Sequence, residues 1–409
     1  MNETKENQRR GRELMSQHRE PFMKEVAGLP VLDTHTHLVG DRLCAKDFWE
    51  IAHYFWFFRE LQAAGYPADA MDLPEEERII QFLAAYRATR NTLMNWVVTN
   101  LFQTLYDIEL SDEAAVRRAD AAVRESSQRD GWAQQVADKL QIRGFVVNIP
   151  EHAEFQGMNR NALLIPRIDG RLGEWVKSIH QAEDPSAVFE EMCAVISKLL
   201  DDYQQLGCTG IMTTLPAYEA RANESYPLTR GITKDQIMMR LLHKICEELE
   251  SKGMFLQLFL GVERSWCGTA VPVNDPARIL KLTGLFERYS CKFELVVASE
   301  INNLDVVQAA WNFPNVHLGG LWWFNFRAST YRDCMQYRSE ALPGIKCSLI
   351  ASDARCIEWS YGKILLVKRL MGEYLYEQVE AGWLDRDTAL QLAEAWLYKS
   401  AAQRYAFTT

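Results

Sequence analysis

The sequence predicts an α/β protein, a (β/α)8 TIM barrel with a helical insertion after strand one. Eight short apolar runs recur along the 409 residues, and helix-length segments with polar periodicity lie between them. The runs are apolar almost throughout, as expected for parallel strands that are buried on both faces. A doubly wound open sheet is the alternative, but the chain has no Gly-x-Gly-x-x-Gly turn after its first strand.

The first elements are a polar N-terminal helical segment over 1–30, a first strand over 31–38 and a helical insertion over about 41–140. The barrel is expected to occupy 31–409. Many large apolar residues of the insertion follow helical spacings, among them Phe48, Trp49, Ile51, Phe55, Trp56 and Leu61. We interpret most of these side chains as packing core.

The later elements alternate between strands and helices. Strands are predicted over 144–149, 162–168, 210–215, 254–260, 293–298, 316–322 and 346–352. Helices are predicted over 185–206, 233–252, 275–290, 303–312 and 361–380. Asp184-Pro185 and Asp275-Pro276 mark helix starts, because a carboxylate caps the first turn and proline suits the first helical position. Gly207 and Gly253 stand where helices are expected to end.

Composition argues against several classes of protein. The formal net charge of −10 disfavours a nucleic-acid binder, which would carry a basic patch. The nine cysteines are scattered and form no Cys-x-x-Cys pair, so a reducing cytoplasm is the expected setting. We expect no signal peptide, because the N-terminal residues are polar, and no membrane span, because no run of about 18 apolar residues occurs.

The first predicted strand contains Asp-Thr-His-Thr-His over 33–37. Side chains alternate along a strand, so Asp33, His35 and His37 are predicted to share one face. Two imidazoles on one face can bind the same divalent transition metal, since imidazole is a ligand for zinc, iron and manganese. The alternative is a pair of half-buried histidines that neighbouring groups satisfy.

The active site of a parallel barrel lies at the C-terminal ends of its strands. Strand one supplies His35 and His37 there, and strand eight supplies Asp353 and Arg355. Because the first and last strands of a closed barrel are neighbours, Asp353 is predicted to complete a His-His-Asp metal site with a position open for water or substrate. Arg355 is then placed to hold an anionic substrate. Taken alone, Asp353 and Arg355 would more often form a structural ion pair.

Five stretches together resemble one known family. They are Asp33–His37, Ala52-His53-Tyr54-Phe55-Trp56, Pro166-Arg167-Ile168-Asp169, Gly320-Leu321-Trp322-Trp323-Phe324-Asn325 and Ser352-Asp353-Ala354-Arg355. In this order and at these strand ends, they resemble the uronate (glucuronate) isomerase family of the amidohydrolase superfamily. The resemblance implies an aldose–ketose isomerase that interconverts aldo- and keto-hexuronates by moving a proton between C2 and C1.

The resemblance also implies a role for each matched residue. His35, His37 and Asp353 would bind one divalent metal ion, for which zinc is expected. Asp353 would carry the proton with Arg355 as its partner.

The remaining matched residues would bind or act on the substrate. His53 and Tyr54 would act on its oxygens, and Arg167 would pair with its carboxylate. Trp322 and Trp323 would line the sugar.

The chain departs from the family pattern at strands four and five. Gly207-Cys208 is followed by Met212 and Thr213 where the family has Ser-Asp-His-Gly, and Phe259 replaces a histidine. A site without those polar groups selects substrates differently, so we infer a divergent member whose substrate need not be glucuronate or galacturonate. The missing histidines also favour one metal ion over two.

Two other functions stay open from the sequence. One is a mononuclear metal-dependent hydrolase or decarboxylase of a small carboxylated substrate, and the other is a non-catalytic sugar-acid binder. In each case the expected partner is a small molecule, not nucleic acid or a membrane. A homo-oligomer also stays open, because exposed aromatics on the insertion would suit a subunit contact.

Overall fold

The computed structural model describes residues 18–149, 154–159, 161–264, 270–272, 275–298, 300–322 and 327–407. These residues form parallel β-sheets, a short antiparallel hairpin and many α-helices, most of which lie between strands that are consecutive in the sequence. Among the helices described, none has the length and apolar character needed to cross a membrane.

The strands form two parallel sheets and one antiparallel hairpin. They are β1 Val31–Thr36, β2 Ile142–Val147, β3 Asn161–Leu164, β4 Gly210–Thr214, β5 Phe255–Leu260, β6 Val262–Arg264, β7 Ala270–Pro272, β8 Phe293–Val297 and β9 Val316–Leu318. One sheet has the order β1-β2-β3 and the other β4-β5-β8-β9, while β6 pairs with β7. Seven of the predicted apolar runs are therefore strands, whereas the sequence pattern does not predict the β6–β7 hairpin.

The predicted eighth strand over 346–352 is not a regular strand, and that prediction is wrong in this respect. Two side chains of β1 form hydrogen bonds with backbone groups of this segment. The Thr34 hydroxyl donates to the Ile350 carbonyl oxygen, and the Asp33 carboxylate accepts from the Ser352 backbone N–H at 3.0 Å. A backbone ladder with β1 would need groups that these side chains already occupy.

Isolated parallel bridges lie next to the sheets. They join Arg167 to Met212, Leu318 to Cys347, and Thr36 to Ala354. The first bridge lies between the end of β3 and β4, and the other two place the segment after α13 beside β9 and then beside β1.

Among the described residues, one α-helix precedes β1 and fifteen follow it. They are α1 18–28, α2 Phe48–Ala52, α3 Phe55–Ala63, α4 Glu75–Ala88, α5 Leu93–Tyr106, α6 Glu113–Ser127, α7 Trp132–Lys139, α8 Asp169–Gln181, α9 Pro185–Gln205, α10 Lys234–Lys252, α11 Thr283–Arg288, α12 Glu300–Asn312, α13 Ala328–Ala341, α14 Ile357–Glu380, α15 Arg386–Glu394 and α16 Ser400–Arg404. Asp184 caps α9 as predicted, and Gly253 ends α10 with a φ of +66°. Of the helix predicted over 275–290, only α11 is regular α-helix.

Apolar side chains collect in separate clusters. Helices α2–α6 share one cluster, which includes Phe48, Phe82 and Phe102 and reaches Trp359 of α14. Most insertion aromatics predicted as core are buried, but Phe55 is exposed. A second cluster packs the sheets against the outer helices. A third, smaller one contains residues from several strands and from the C-terminal segment, such as Leu32, Met212, Phe259, Trp322 and Tyr405.

Candidate metal centre and active site

His35, His37 and Asp353 form one cluster. The His35 and His37 Nε2 atoms lie 3.2 Å and 3.0 Å from the same Asp353 oxygen, Oδ1. One ligand atom from each of the three residues lies within 4.8 Å of the other two. The His35 side chain is buried, whereas 35% of the His37 side chain is exposed. The cluster therefore faces solvent on the His37 side.

Backbone hydrogen bonds hold the two parts of this cluster together. The Asp353 N–H donates to the His35 carbonyl oxygen at 2.8 Å, and the His37 N–H donates to the Ala354 carbonyl oxygen at 2.8 Å. Asp353 has a φ of +55°, a left-handed conformation that few non-glycine residues adopt. This backbone geometry turns the carboxylate toward the two imidazoles.

The donor set fits a divalent metal ion. Two imidazole nitrogens and a carboxylate are common zinc ligands, and a metal binds the neutral form of histidine. Burial lowers the pKa of His35 to about 4, so its ring is neutral at pH 7. Burial alone would raise the pKa of Asp353, but hydrogen bonds from His35 and His37 hold that pKa well below its usual range. A neutral ring beside an ionised carboxylate is the protonation state that metal binding requires.

The side chain of Asp33 points away from the cluster of His35, His37 and Asp353, contrary to the prediction that Asp33 shares one face with the two histidines. Its carboxylate accepts from the Ser352 N–H and from the Ser360 hydroxyl at 2.7 Å. The pairing of β1 with β2 shifts register between Asp33 and Thr36, so strict alternation fails here. Asp33 instead binds the backbone N–H of Ser352, the residue before Asp353.

Tyr54, one of the predicted catalytic residues, lies beside Asp353. It precedes α3, and its ring packs on Trp359 with centroids 4.3 Å apart. Its hydroxyl lies 3.1 Å from the Asp353 carbonyl oxygen and 3.4 Å from Oδ2. Burial raises the pKa of Tyr54, and the nearby Asp353 carboxylate raises it further. The phenol is therefore neutral and able to donate.

His53 lies among aromatic residues of the insertion. Its Nε2 is 2.9 Å from the Tyr66 hydroxyl, and its ring centroid lies 5.0 Å from Phe58 and 5.2 Å from Trp49. Burial lowers its pKa to about 4. The described contacts of His53 do not join it to the metal cluster, and its action on substrate oxygens stays a prediction.

Arg355 borders a cavity that opens at the cluster. This cavity of about 810 Å³ is lined by both Arg355 and His37, and it extends along the loop after β1 to the start of α7. Its other cationic lining residues are Arg42, Lys46 and Arg129. Arg355 is exposed and has no ion pair with any carboxylate in the described part of the chain. Its guanidinium is therefore accessible to an anion in the cavity.

Arg167 is already paired within the protein. Its Nε donates to Asp169 Oδ2 at 2.6 Å, and a terminal nitrogen lies 3.5 Å from the Thr214 hydroxyl. Its charge contributes to the lowered pKa of His35. The side chain is 41% exposed. Arg167 is therefore close enough for its charge to act on His35, but it forms its ion pair with Asp169.

Aromatic residues pack against the buried side of His35. The Phe259 ring centroid lies 4.7 Å and the Trp322 centroid 6.4 Å from that of His35. Phe259 and Met212, two of the three residues that depart from the family pattern at strands four and five, are buried and belong to the same apolar cluster as Trp322. Trp323, predicted to line the sugar, lies outside the described residues.

Lys363 is a site-neighbouring residue that the sequence pattern does not indicate. Its ammonium donates to the Tyr54 hydroxyl at 2.5 Å and to the Ser352 carbonyl oxygen. Burial lowers its pKa to about 8. In the sequence it is one lysine on a long helix, where lysines are usually exposed.

Comparisons with known proteins show the fold. The chain is similar to the uronate isomerase from Thermotoga maritima, with a TM-score of 0.77, 16% identity and coverage of 95% of this chain and 97% of that chain. It is also similar to the glucuronate isomerase from Caulobacter crescentus, with a TM-score of 0.79, 15% identity and coverage of 97% and 95%. A predicted metal-dependent hydrolase from Lactobacillus casei has a TM-score of 0.59, 13% identity and coverage of 93% and 96%.

No family model and no curated protein sequence matches the chain. At the level of the fold, the resemblance predicted from the five motifs is confirmed.

Proposed function

We propose that this protein is an aldose–ketose isomerase acting on a hexuronate or a related sugar acid at a mononuclear metal site. The observation that carries the proposal is the meeting of His35, His37 and Asp353, with Tyr54 against the same carboxylate and Arg355 at the adjoining cavity. The likeness of fold to uronate and glucuronate isomerases supports it over nearly the whole chain.

We also propose that the two parallel sheets belong to one closed eight-stranded barrel. Three isolated bridges support this. Arg167 with Met212 joins the two sheets, while Leu318 with Cys347 and Thr36 with Ala354 join the segment over 346–354 to β9 and to β1. In such a barrel the cluster would lie at the C-terminal ends of the strands, where barrel enzymes have their active sites.

The reaction moves a hydrogen from C2 to C1 and another from O2 to O1, so that an aldehyde becomes a hydroxyl and a hydroxyl becomes a ketone. The two oxygens of Asp353 have different surroundings, because Oδ1 faces the imidazoles and Oδ2 faces Tyr54. We assign proton transfer between the carbons to Oδ2. Tyr54 would donate a hydrogen bond to Oδ2 of the ionised carboxylate and, once Oδ2 carries the proton, to a substrate oxygen, while Arg355 would stabilise the negative charge of the enediolate.

The metal would be held by His35, His37 and Asp353. A bound divalent ion supplies a Lewis acid toward the substrate's carbonyl and hydroxyl oxygens. We propose zinc, since two imidazoles and one carboxylate are a common zinc donor set.

Substrate recognition would use the cationic groups near the cluster. Arg355 has no described carboxylate partner and lines the cavity, so we assign the binding of anionic oxygens to it first. Arg167 would bind the substrate carboxylate only by sharing or releasing Asp169. Trp322, which is buried beside His35, would line the inner end of the site.

The experiment is a substrate panel followed by NMR in deuterated water. Protein loaded with zinc is incubated with hexuronates and related sugar acids, and ketose resonances are followed over time. We expect ketose formation, with any solvent deuterium at C1, and loss of turnover in Asp353→Asn. Failure of the metal-loaded protein to convert any member of the panel would contradict the proposal.

A second candidate is a mononuclear metal-dependent hydrolase or decarboxylase of a small carboxylated substrate. The likeness of fold to a predicted metal-dependent hydrolase supports it. In the same panel, cleavage products or carbon dioxide without ketose would favour this function. Binding without turnover, unchanged in Asp353→Asn, would favour a non-catalytic sugar-acid binder.

We further propose a cytoplasmic setting. The eight described cysteines are all free thiols, which suits a reducing compartment.

A further inference from the structure

Lys363 of α14 is a buried cation behind the candidate site. Only 2% of its surface is exposed. Its ammonium binds the Tyr54 hydroxyl and the Ser352 carbonyl oxygen, and Nζ lies 4.5 Å from the Tyr54 ring centroid. Burying a charge is costly unless its hydrogen bonds are satisfied. Both of these bonds are made to residues adjoining the metal cluster.

The contact with Lys363 fixes the direction of the Tyr54 hydroxyl. An ammonium group only donates hydrogen bonds, so the Tyr54 oxygen accepts from Lys363. Its own proton must then be donated elsewhere. Among the described residues, its acceptors are the carbonyl oxygen and Oδ2 of Asp353, at 3.1 Å and 3.4 Å. Lys363 thus turns the phenolic proton toward Asp353.

The same ammonium holds the backbone before Asp353. The Ser352 carbonyl oxygen accepts from Lys363, while the Ser352 N–H donates to the Asp33 carboxylate. Two buried ionisable side chains therefore bind the two backbone groups of one residue. The next residue, Asp353, has the left-handed conformation that directs its carboxylate to the imidazoles.

We propose that Lys363 is a positioning residue, which directs the Tyr54 proton to Asp353 and fixes the Ser352 backbone beside the metal ligand. Because Lys363 is buried and its ammonium binds the Tyr54 hydroxyl and the Ser352 carbonyl oxygen, it acts through Tyr54 and Asp353 and not on the substrate. The effect of Lys363 on turnover rests on the proposed function. The contact between Lys363 and Tyr54 can be tested without a substrate.

Lys368 provides a matched control on the same helix. It is also buried, at 3% exposure, and its ammonium donates to the carbonyl oxygens of Ala27, Leu29 and Leu140 at 2.7 Å, 2.7 Å and 2.9 Å. Its described bonds are to helix ends and loops, not to Tyr54 or Ser352. Lys368→Met removes a buried cation from α14 without touching the positioning contact.

The first test uses metal-free protein labelled with 13Cζ-tyrosine. The Tyr54 resonance is assigned with Tyr54→Phe and compared in wild type, Lys363→Met and Lys368→Met at one pH. We expect it to shift in Lys363→Met and to keep its wild-type position in Lys368→Met. An unshifted Tyr54 resonance in folded Lys363→Met would overturn the proposal.

A reciprocal measurement covers the case in which Lys363→Met does not fold. The 15Nζ resonance of Lys363 is recorded in wild type and in Tyr54→Phe. We expect the ammonium resonance to move when the phenolic oxygen is removed. The same resonance in both proteins would overturn the proposal.

Turnover supplies the functional readout. On a substrate that the wild type isomerises, Lys363→Met should lower kcat by about tenfold or more, as loss of outer partners of a metal site does. It should leave KM unchanged, because the buried Lys363 side chain does not bind the substrate. A wild-type kcat, or a change confined to KM, would overturn the positioning role. If the wild type isomerises no uronate, the proposed function fails, while the two NMR measurements still decide whether Lys363 holds Tyr54.

Discussion

Nε2 of His37 lies 3.0 Å from Oδ1 of Asp353, although 316 positions separate the two residues in the chain. Backbone hydrogen bonds between 35–37 and 353–354 fix this contact. The candidate metal centre therefore depends on the pairing of the first strand with the last strand-like segment. Neither the His-x-His motif nor the Asp-x-Arg motif makes the site alone.

Replacing a cluster residue should abolish tight metal binding. We expect His35→Asn, His37→Asn and Asp353→Asn to weaken zinc affinity by more than the roughly 10- to 100-fold that loss of an outer partner costs. Competition titration with a chromophoric chelator measures the change. His243→Gln is the control, because His243 bonds to the Ala222 carbonyl oxygen and lies near Tyr289, away from the cluster. Equal affinity in the cluster variants and this control would contradict the assignment.

The two arginines near the site should differ in their effect on catalysis. Arg355→Gln removes an accessible guanidinium from the cavity and should lower kcat/KM by about 100-fold or more, as loss of a charge-stabilising donor does. Arg167→Gln should cost about tenfold or less, because its half-exposed guanidinium is already paired with Asp169. Steady-state kinetics on the same substrate ranks the two variants. The opposite ranking would move the anion-binding role to Arg167.

Much of this arrangement follows from the sequence, because parallel strands bring their C-terminal ends together. That rule predicts the meeting of His35 and His37 with Asp353 from the order of the strands alone. A second rule, the alternation of side chains along a strand, fails for Asp33, because a register shift in β1 changes where its side chain points.

The roles of Lys363 and His53 could not be derived from local pattern. Lys363 is buried because Tyr54 and Ser352, distant in the chain, both accept from its ammonium. His53 lies at the C-terminal end of α2, and its ring contacts Tyr66. The adjacent Tyr54 contacts Asp353 instead. Side-chain partners that are fixed by tertiary packing leave no periodic signal in the sequence.

His317 on β9 should make the protein sensitive to acid. Burial and the positive charges of Arg404, Lys346 and Lys292 lower its pKa to about 3. An unfolded histidine takes up its proton near pH 6.5, so between about pH 6.5 and 3 the unfolded state binds more protons and stability falls as pH falls. The slope from this residue is at most about 1.4 kcal/mol per pH unit.

Urea unfolding of wild type and His317→Gln between pH 7 and 4 measures this contribution. We expect a shallower loss of stability in the variant. His18→Gln, at an exposed position of α1, is the control and should follow the wild type. Parallel curves for wild type and His317→Gln would show that His317 is not the group responsible.

Lys368 should contribute to global stability. Its ammonium binds three backbone carbonyls that end α1 and α7 or lie just beyond α1. Burial lowers the pKa of Lys368 to about 7, so at that pH part of the population carries a neutral amine, which still donates hydrogen bonds. Lys368→Met leaves the three carbonyl oxygens without their donor and should lower the free energy of unfolding by about 1–3 kcal/mol. Urea denaturation monitored by circular dichroism gives the value. A change below about 0.5 kcal/mol, the size typical of surface substitutions, would mean that water replaces the ammonium at no cost.

The most direct measurement is anomalous diffraction from crystals soaked in zinc, recorded on both sides of the zinc absorption edge. We predict one strong peak within bonding distance of His35 Nε2, His37 Nε2 and an Asp353 carboxylate oxygen. A structure with zinc in the soak and no peak among these three residues would contradict the account.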